Sequence, residues 1–111
     1  MTIFPVRPRA RSRYRFDVRV FPNEREMRAY ERSIGPPFPM EYNSITLCHS
    51  DRGWLLGDIL FTERSLTPEN IAHEASHAAE HYARRIGRRD GETIAAASGR
   101  IASEILRRVN A

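Results

Sequence analysis

Thr67-Pro68-Glu69-Asn70-Ile71-Ala72-His73-Glu74-Ala75-Ser76-His77 sets the frame for the rest of the chain. Threonine before proline starts a helix. Thr67 offers a side-chain oxygen to the unpaired N–H groups of a first turn, Pro68 has no N–H to leave unpaired, and Glu69 sits at the positive end of the helix dipole. The spacing predicts a helix that runs to about Ile86 and stops at Gly87. Ile71, Ala72, Ala75, Ala78, Ala79, Tyr82, Ala83 and Ile86 form one apolar arc on its wheel, the face for a core. His73 and His77 lie nearly opposite the centre of that arc, about 40° apart in phase and one turn apart, so both imidazoles can reach a single ion. Glu74, next to His73, is placed to take a proton from water at that ion, which is the chemistry of an H-E-x-x-H helix. A second string, His77-Ala78-Ala79-Glu80-His81, has the inverted order H-x-x-E-H and shares His77, so the two cannot hold the same ion.

Outward from this helix, the last segment starts near Asp90 and continues almost to the end of the chain as a second helix, burying Ile94, Ala95, Ile101, Ala102, Ile105, Leu106 and Val109. Upstream, Arg13 to Phe21 alternates strictly. Tyr14, Phe16, Val18 and Val20 fall on one face and Arg13, Arg15, Asp17 and Arg19 on the other, which predicts a half-buried strand with a solvated arginine face. Asn23 with Glu26 reads as a capping box for a short helix over about 23–34, ended by Gly35 and the prolines of a loop at 36–39. Asn43–His49 and Trp54–Phe61 read as two further strands around a hairpin loop, Ser50–Gly53. The expected fold is α+β, a three-stranded sheet in the order β-α-β-β-α-α. A right-handed crossover makes the first two strands parallel, and the third pairs antiparallel as an edge. Residues 1–12, rich in proline and arginine, read as a flexible arm before a single domain at 13–111.

Composition narrows the classes. At 111 residues and 41% apolar content the chain builds one small core, which excludes a two-domain enzyme. It has neither a run of about 20 apolar residues nor an apolar segment behind the N-terminal arginines, so a membrane span and a secretory signal are not expected, and a cytoplasmic setting is. The single cysteine, Cys48, forms no internal disulfide and no cysteine-built zinc cluster, so any metal must come to His, Asp and Glu. All 18 basic residues are arginine, against 14 acids, for a formal charge of +4. Six of the arginines lie between Arg7 and Arg19, a pattern that fits either phosphate binding or a solvated strand face.

A catalytic zinc takes three protein ligands and leaves a fourth position to water. The final helix offers Glu92 in its first turn and Glu104 near its end. Glu92 shares a strip with the small residues Ala96, Gly99 and Ser103, whereas Glu104 lies closer to the level of His77 in a tight antiparallel hairpin; geometry alone leaves both open.

The run from Gly57-Asp58-Ile59-Leu60-Phe61 through Thr67 to His77, followed by Glu92-x-x-Ala95-x-x-x-Gly99-x-Ile101, resembles small phage and prophage proteins with a gluzincin-type metallopeptidase core, over roughly residues 54–106. The resemblance implies a minimal zincin-like domain in a bacterial or phage-infected cell. It implies one zinc ion on His73, His77 and Glu92, with Glu74 as the catalytic base, and so favours the first of the two overlapping motifs. It further implies that a peptide or protein substrate lies along an edge strand at 54–61, where Gly57, Asp58 and Ile59 would touch it, with His81 at the rim. The expected activity is hydrolysis of peptide or isopeptide bonds. His81, His49 and Tyr42 are the candidates for stabilising an oxyanion. Two rival classes stand beside it: an accessory protein that binds nucleic acid through its arginine-rich first strand and arm, and a non-cleaving zincin-like protein that binds a partner.

Overall fold

The structure is a computed structural model that describes residues 1–36 and 42–110. The proline-rich loop expected at 36–39 therefore lies outside the described residues except for Pro36. In chain order the elements are β1 (Thr2–Val6), β2 (Arg15–Phe21), α1 (Glu24–Ile34), β3 (Ser44–Cys48), β4 (Leu55–Thr62), a short 3-10 turn at Glu63–Ser65, α2 (Pro68–Arg85) and α3 (Gly91–Val109). The helix starts follow their local chemistry. Asn23 Oδ1 accepts from Glu26 N at 3.0 Å, Thr67 Oγ1 from Asn70 N at 3.2 Å, and Asp90 Oδ2 from Thr93 N at 2.8 Å. The hydrogen bonds from Thr93 hold the Asp90 carboxyl below its ordinary pKa. Gly87 ends α2 in the left-handed region at φ +73°, where a side chain is strained.

Among the described residues the sheet has four strands in the order β1-β2-β4-β3. Three expectations change here. First, Thr2–Val6 is a strand paired antiparallel with β2, where the sequence suggested a loose arm. Phe4 and Val6 alternate with Ile3 and Pro5 and are buried with Phe16 and Val18, and Pro5 is tolerated because β1 is an edge strand. Second, the parallel pair is β2 with β4, while β3 pairs antiparallel with β4 and so runs opposite to β2. Third, β4 is not an edge. It lies between β2 and β3, and nearly its whole length is buried. The apolar run of β4 needs cover on both sides, whereas Ser44, Thr46 and Cys48 suit β3 to an outer position.

Between Arg15 and Phe16 the β2–β4 register shifts, so that Arg15 faces Leu55 and Phe16 faces Gly57. β3 also lies close against Gly57, where a Cβ would run into the Leu47 carbonyl. Gly57→Ala is therefore expected to destabilise the fold by about 1–3 kcal/mol through overpacking, read as a lower urea midpoint at unchanged slope.

Helices α2 and α3 cover one face of the sheet. Ile71, Ala75, Ala78, Ala79, Ala97, Ile101 and Ile105 pack there on Phe16, Val18, Ile59 and Phe61. Helix α1 covers the other face, with Met27 against Phe21, Leu47 and Leu60. Among the described residues no helix is long and apolar enough to cross a membrane.

Candidate functional site

β3 presents Ser44, Thr46 and Cys48 to α2, while Ile45 and Leu47 point to the α1 side. Strand and helix run in the same direction. Thr46 Oγ1 lies 2.8 Å from Glu74 Oε1, His81 Nε2 lies 3.1 Å from the His49 carbonyl, and Arg85 reaches the Ser50 carbonyl at 3.3 Å. Because the facing side chains of β3 are small, a cleft of about 420 Å³ remains between the two elements. Tyr42, Ser44, Thr46 and Cys48 form one wall, and His73, Glu74, His77, Glu80 and His81 form the other.

His73 Nε2 and His77 Nε2 are 3.1 Å apart, with the rings nearly perpendicular at 88°. Both side chains are exposed at the cleft, on the side of α2 away from α3. Glu74 is only 3% exposed. Its carboxylate accepts from Thr46 Oγ1 on Oε1 and from Ser44 Oγ on Oε2, the latter at 2.9 Å. These two hydroxyls went unnoticed in the sequence, although the Ser44, Thr46, Cys48 alternation marks a polar strand face. Ala72, expected on the buried arc, is exposed, and Glu74 occupies the buried border of the helix instead.

His81 lines the same cleft, but its Nε2 donates to a carbonyl that can only accept. That nitrogen is therefore committed, and of the two overlapping motifs only His73 and His77 bring their Nε2 atoms together. The two candidate third ligands lie elsewhere. Glu92 lines a different hollow with Tyr82, Ile86 and Arg88. At a rise of about 1.5 Å per residue, Ile86 stands about 13 Å further along α2 than His77. Glu104 accepts from Arg7 N at 2.8 Å and pairs with Arg100 at 3.0 Å. Among the described residues no group of three His, Cys, Asp or Glu side chains converges as a metal site.

Gly57, Asp58 and Ile59, expected to touch substrate, are buried in the central strand, and β4 has no free edge to offer. Asp58 turns to the α1 side and is 1% exposed. There it accepts from Arg19 Nε at 3.0 Å and Tyr30 Oη at 3.3 Å, and it meets His49 Nε2 at 2.9 Å. The Arg19 guanidinium also lies 4.4 Å from the Tyr30 ring centroid, so Arg19 belongs to a half-buried cluster around Asp58 and not to the solvated face expected for it. Burial, followed by the charge of Asp58, pushes the Tyr30 hydroxyl above its ordinary pKa. His49, a candidate for oxyanion stabilisation, thus has its ring committed on the far side of the sheet, whereas Tyr42 does line the cleft.

No protein-family model, curated protein or solved structure matches this chain.

Proposed function

We propose that the cleft between β3 and α2 is the site of a zinc-dependent hydrolase acting on peptide or isopeptide bonds, in a minimal zincin-like domain. The observation that carries this reading is the approach of His73 Nε2 to His77 Nε2, 3.1 Å apart on a cleft wall that also holds the Glu74 carboxylate. The donor chemistry fits. Two imidazole nitrogens on a tetrahedral zinc, each bonded at about 2.0–2.1 Å, stand about 3.3 Å from one another. His73 and His77 would hold the ion. Glu80 lies on the same stripe of α2, one turn beyond His77, and lines the same cleft; its carboxylate does not converge on the two imidazoles as placed and would turn toward them to serve as the third ligand, the role this proposal gives it in place of Glu92.

A bound zinc ion supplies Lewis acidity there, polarising a carbonyl and making water more acidic. The protein contributes the rest. Ser44 and Thr46 each donate to one oxygen of Glu74 and so orient the carboxylate without neutralising it. Glu74 accepts a proton from the attacking water and returns it to the departing amine. β3 is the outermost strand beside this cleft, so an extended peptide adding to its edge would lie along the helix wall that carries the histidines. The substrate strand of this proposal is therefore Ser44–Cys48, not 54–61.

Protein purified without chelator and dialysed against zinc is expected to retain about one ion per chain by elemental analysis, with Glu80→Gln weakening retention more than Glu92→Gln or Glu104→Gln. No retained zinc in the wild type ends the proposal. A larger effect at Glu92 or Glu104 moves the third ligand to that residue.

A further inference from the structure

Trp54 is 48% exposed, in a chain with no other tryptophan. It stands at the start of β4, behind the Ser50–Gly53 loop, at the end of the sheet where α2 finishes. An indole left in solvent costs hydrophobic free energy, and this one is held in place. The carbonyl of Trp54 accepts from Arg15 N at 2.9 Å. Its ring meets Tyr14 edge to face at 4.8 Å, and Tyr14 meets Tyr82 at 6.2 Å. Guanidinium groups flank this row of rings. Arg13 lies 5.7 Å from the Trp54 centroid and Arg85 lies 5.8 Å from that of Tyr14. Arg85 is also tied to the Ser50 carbonyl at 3.3 Å. Both arginines are exposed, and neither has a carboxylate partner among the described ion pairs.

We infer that Trp54, Tyr14, Arg13 and Arg85 form a binding site for single-stranded nucleic acid, separate from the cleft that holds the histidines. An exposed, anchored aromatic ring offers a stacking platform to an unpaired base, and the guanidinium over the Trp54 ring, which would move aside or leave the base the other face, and the one over Tyr14 are close enough to meet the phosphates that flank it. A duplex hides its base faces and so gains only the phosphate contacts. An acidic chain without aromatic residues, such as polyglutamate, pairs with the arginines but has no ring to stack on the indole. The sequence pointed to arginines of the arm and first strand as a group. Of that group the structure places Arg13 beside the rings and removes Arg19, which is held by Asp58, and it adds Arg85 from the end of α2.

Because Trp54 is the only tryptophan, its own fluorescence reports contact at this position. Titrating the full chain with oligo(dT) of about 12 nucleotides at about 50 mM salt is expected to quench that emission, with a duplex of equal length quenching much less. In anisotropy measurements with a labelled oligo(dT), Trp54→Ala is expected to weaken binding by about 5- to 100-fold and Trp54→Phe by much less. Arg13→Ala and Arg85→Ala are each expected to reduce the slope of log affinity against log salt by about 0.7. Trp54, Arg13 and Arg85 are exposed, and unchanged circular dichroism checks that the variants fold. The inference is overturned if oligo(dT) leaves the emission unchanged, if heparin or polyglutamate quenches as strongly, or if Trp54→Ala binds as tightly as the wild type.

Discussion

His77→Ala is expected to abolish tight zinc binding while leaving the fold intact. His77 is exposed on α2, and among the described residues its one close polar partner is His73 Nε2 at 3.1 Å, so removing the ring costs the apoprotein no more than about 0.5 kcal/mol. Loss of a direct ligand should exceed the roughly 10–100-fold loss in affinity that follows removal of a supporting partner. Competition with a chromophoric chelator measures it. Zinc should also raise the melting temperature of the wild type by mass action and leave that of His77→Ala unchanged. His81→Ala is the informative control. Its Nε2 holds the His49 carbonyl, so the change is expected to loosen the contact between α2 and β3 with little effect on zinc. Were His81→Ala to release the metal while His73→Ala did not, the site would be the inverted motif and the pairing of His73 with His77 incidental.

Glu74→Gln is expected to reduce hydrolysis of a zinc-dependent peptide or isopeptide substrate by about 100- to 10,000-fold, because an amide cannot accept the proton that a general base removes. Zinc occupancy should stay near that of the wild type, since Glu74 is not among the proposed ligands. The stability cost depends on the hydroxyls of Ser44 and Thr46, which now donate to the two carboxylate oxygens. Glutamine keeps one acceptor, and the hydroxyl opposite its NH2 group can turn to accept, so the cost is about 1 kcal/mol. Glu74→Ala instead leaves the Ser44 hydroxyl without its partner, while Thr46 keeps the main-chain carbonyl of residue 74 at 3.2 Å, and it opens a void in a site only 3% exposed, for about 2–4 kcal/mol. A zinc-loaded wild type that cleaves nothing across a broad peptide and isopeptide set defeats the hydrolase proposal, and so does a Glu74→Gln protein that cleaves at the wild-type rate.

The local rules read from the sequence reached α2 almost residue by residue. Thr67 caps it, Pro68 begins it, Gly87 stops it, and the phase of His73 and His77 follows from helical geometry, all from interactions that span no more than four residues. The same locality explains why α1, α3, β2 and the β3–β4 hairpin were legible to within a residue or two. Strand order was not legible, because it is decided by pairings between distant segments. β4 takes the centre since its apolar run gains from cover on both faces and both edges, and β3, with its row of Ser44, Thr46 and Cys48, loses least at the rim. That exchange carried the candidate substrate edge from 54–61 to Ser44–Cys48 and put two hydroxyls on Glu74. β1 was hidden because Pro5 and the neighbouring arginines mask an alternation of only two buried residues, Phe4 and Val6, which pays off only against the face of β2. Helical phase brings two histidines of one helix together whatever the rest of the chain does, but a ligand from another helix depends on how the two helices pack. In this fold α3 packs on the side of α2 away from the histidines, which leaves Glu92 and Glu104 in other surroundings.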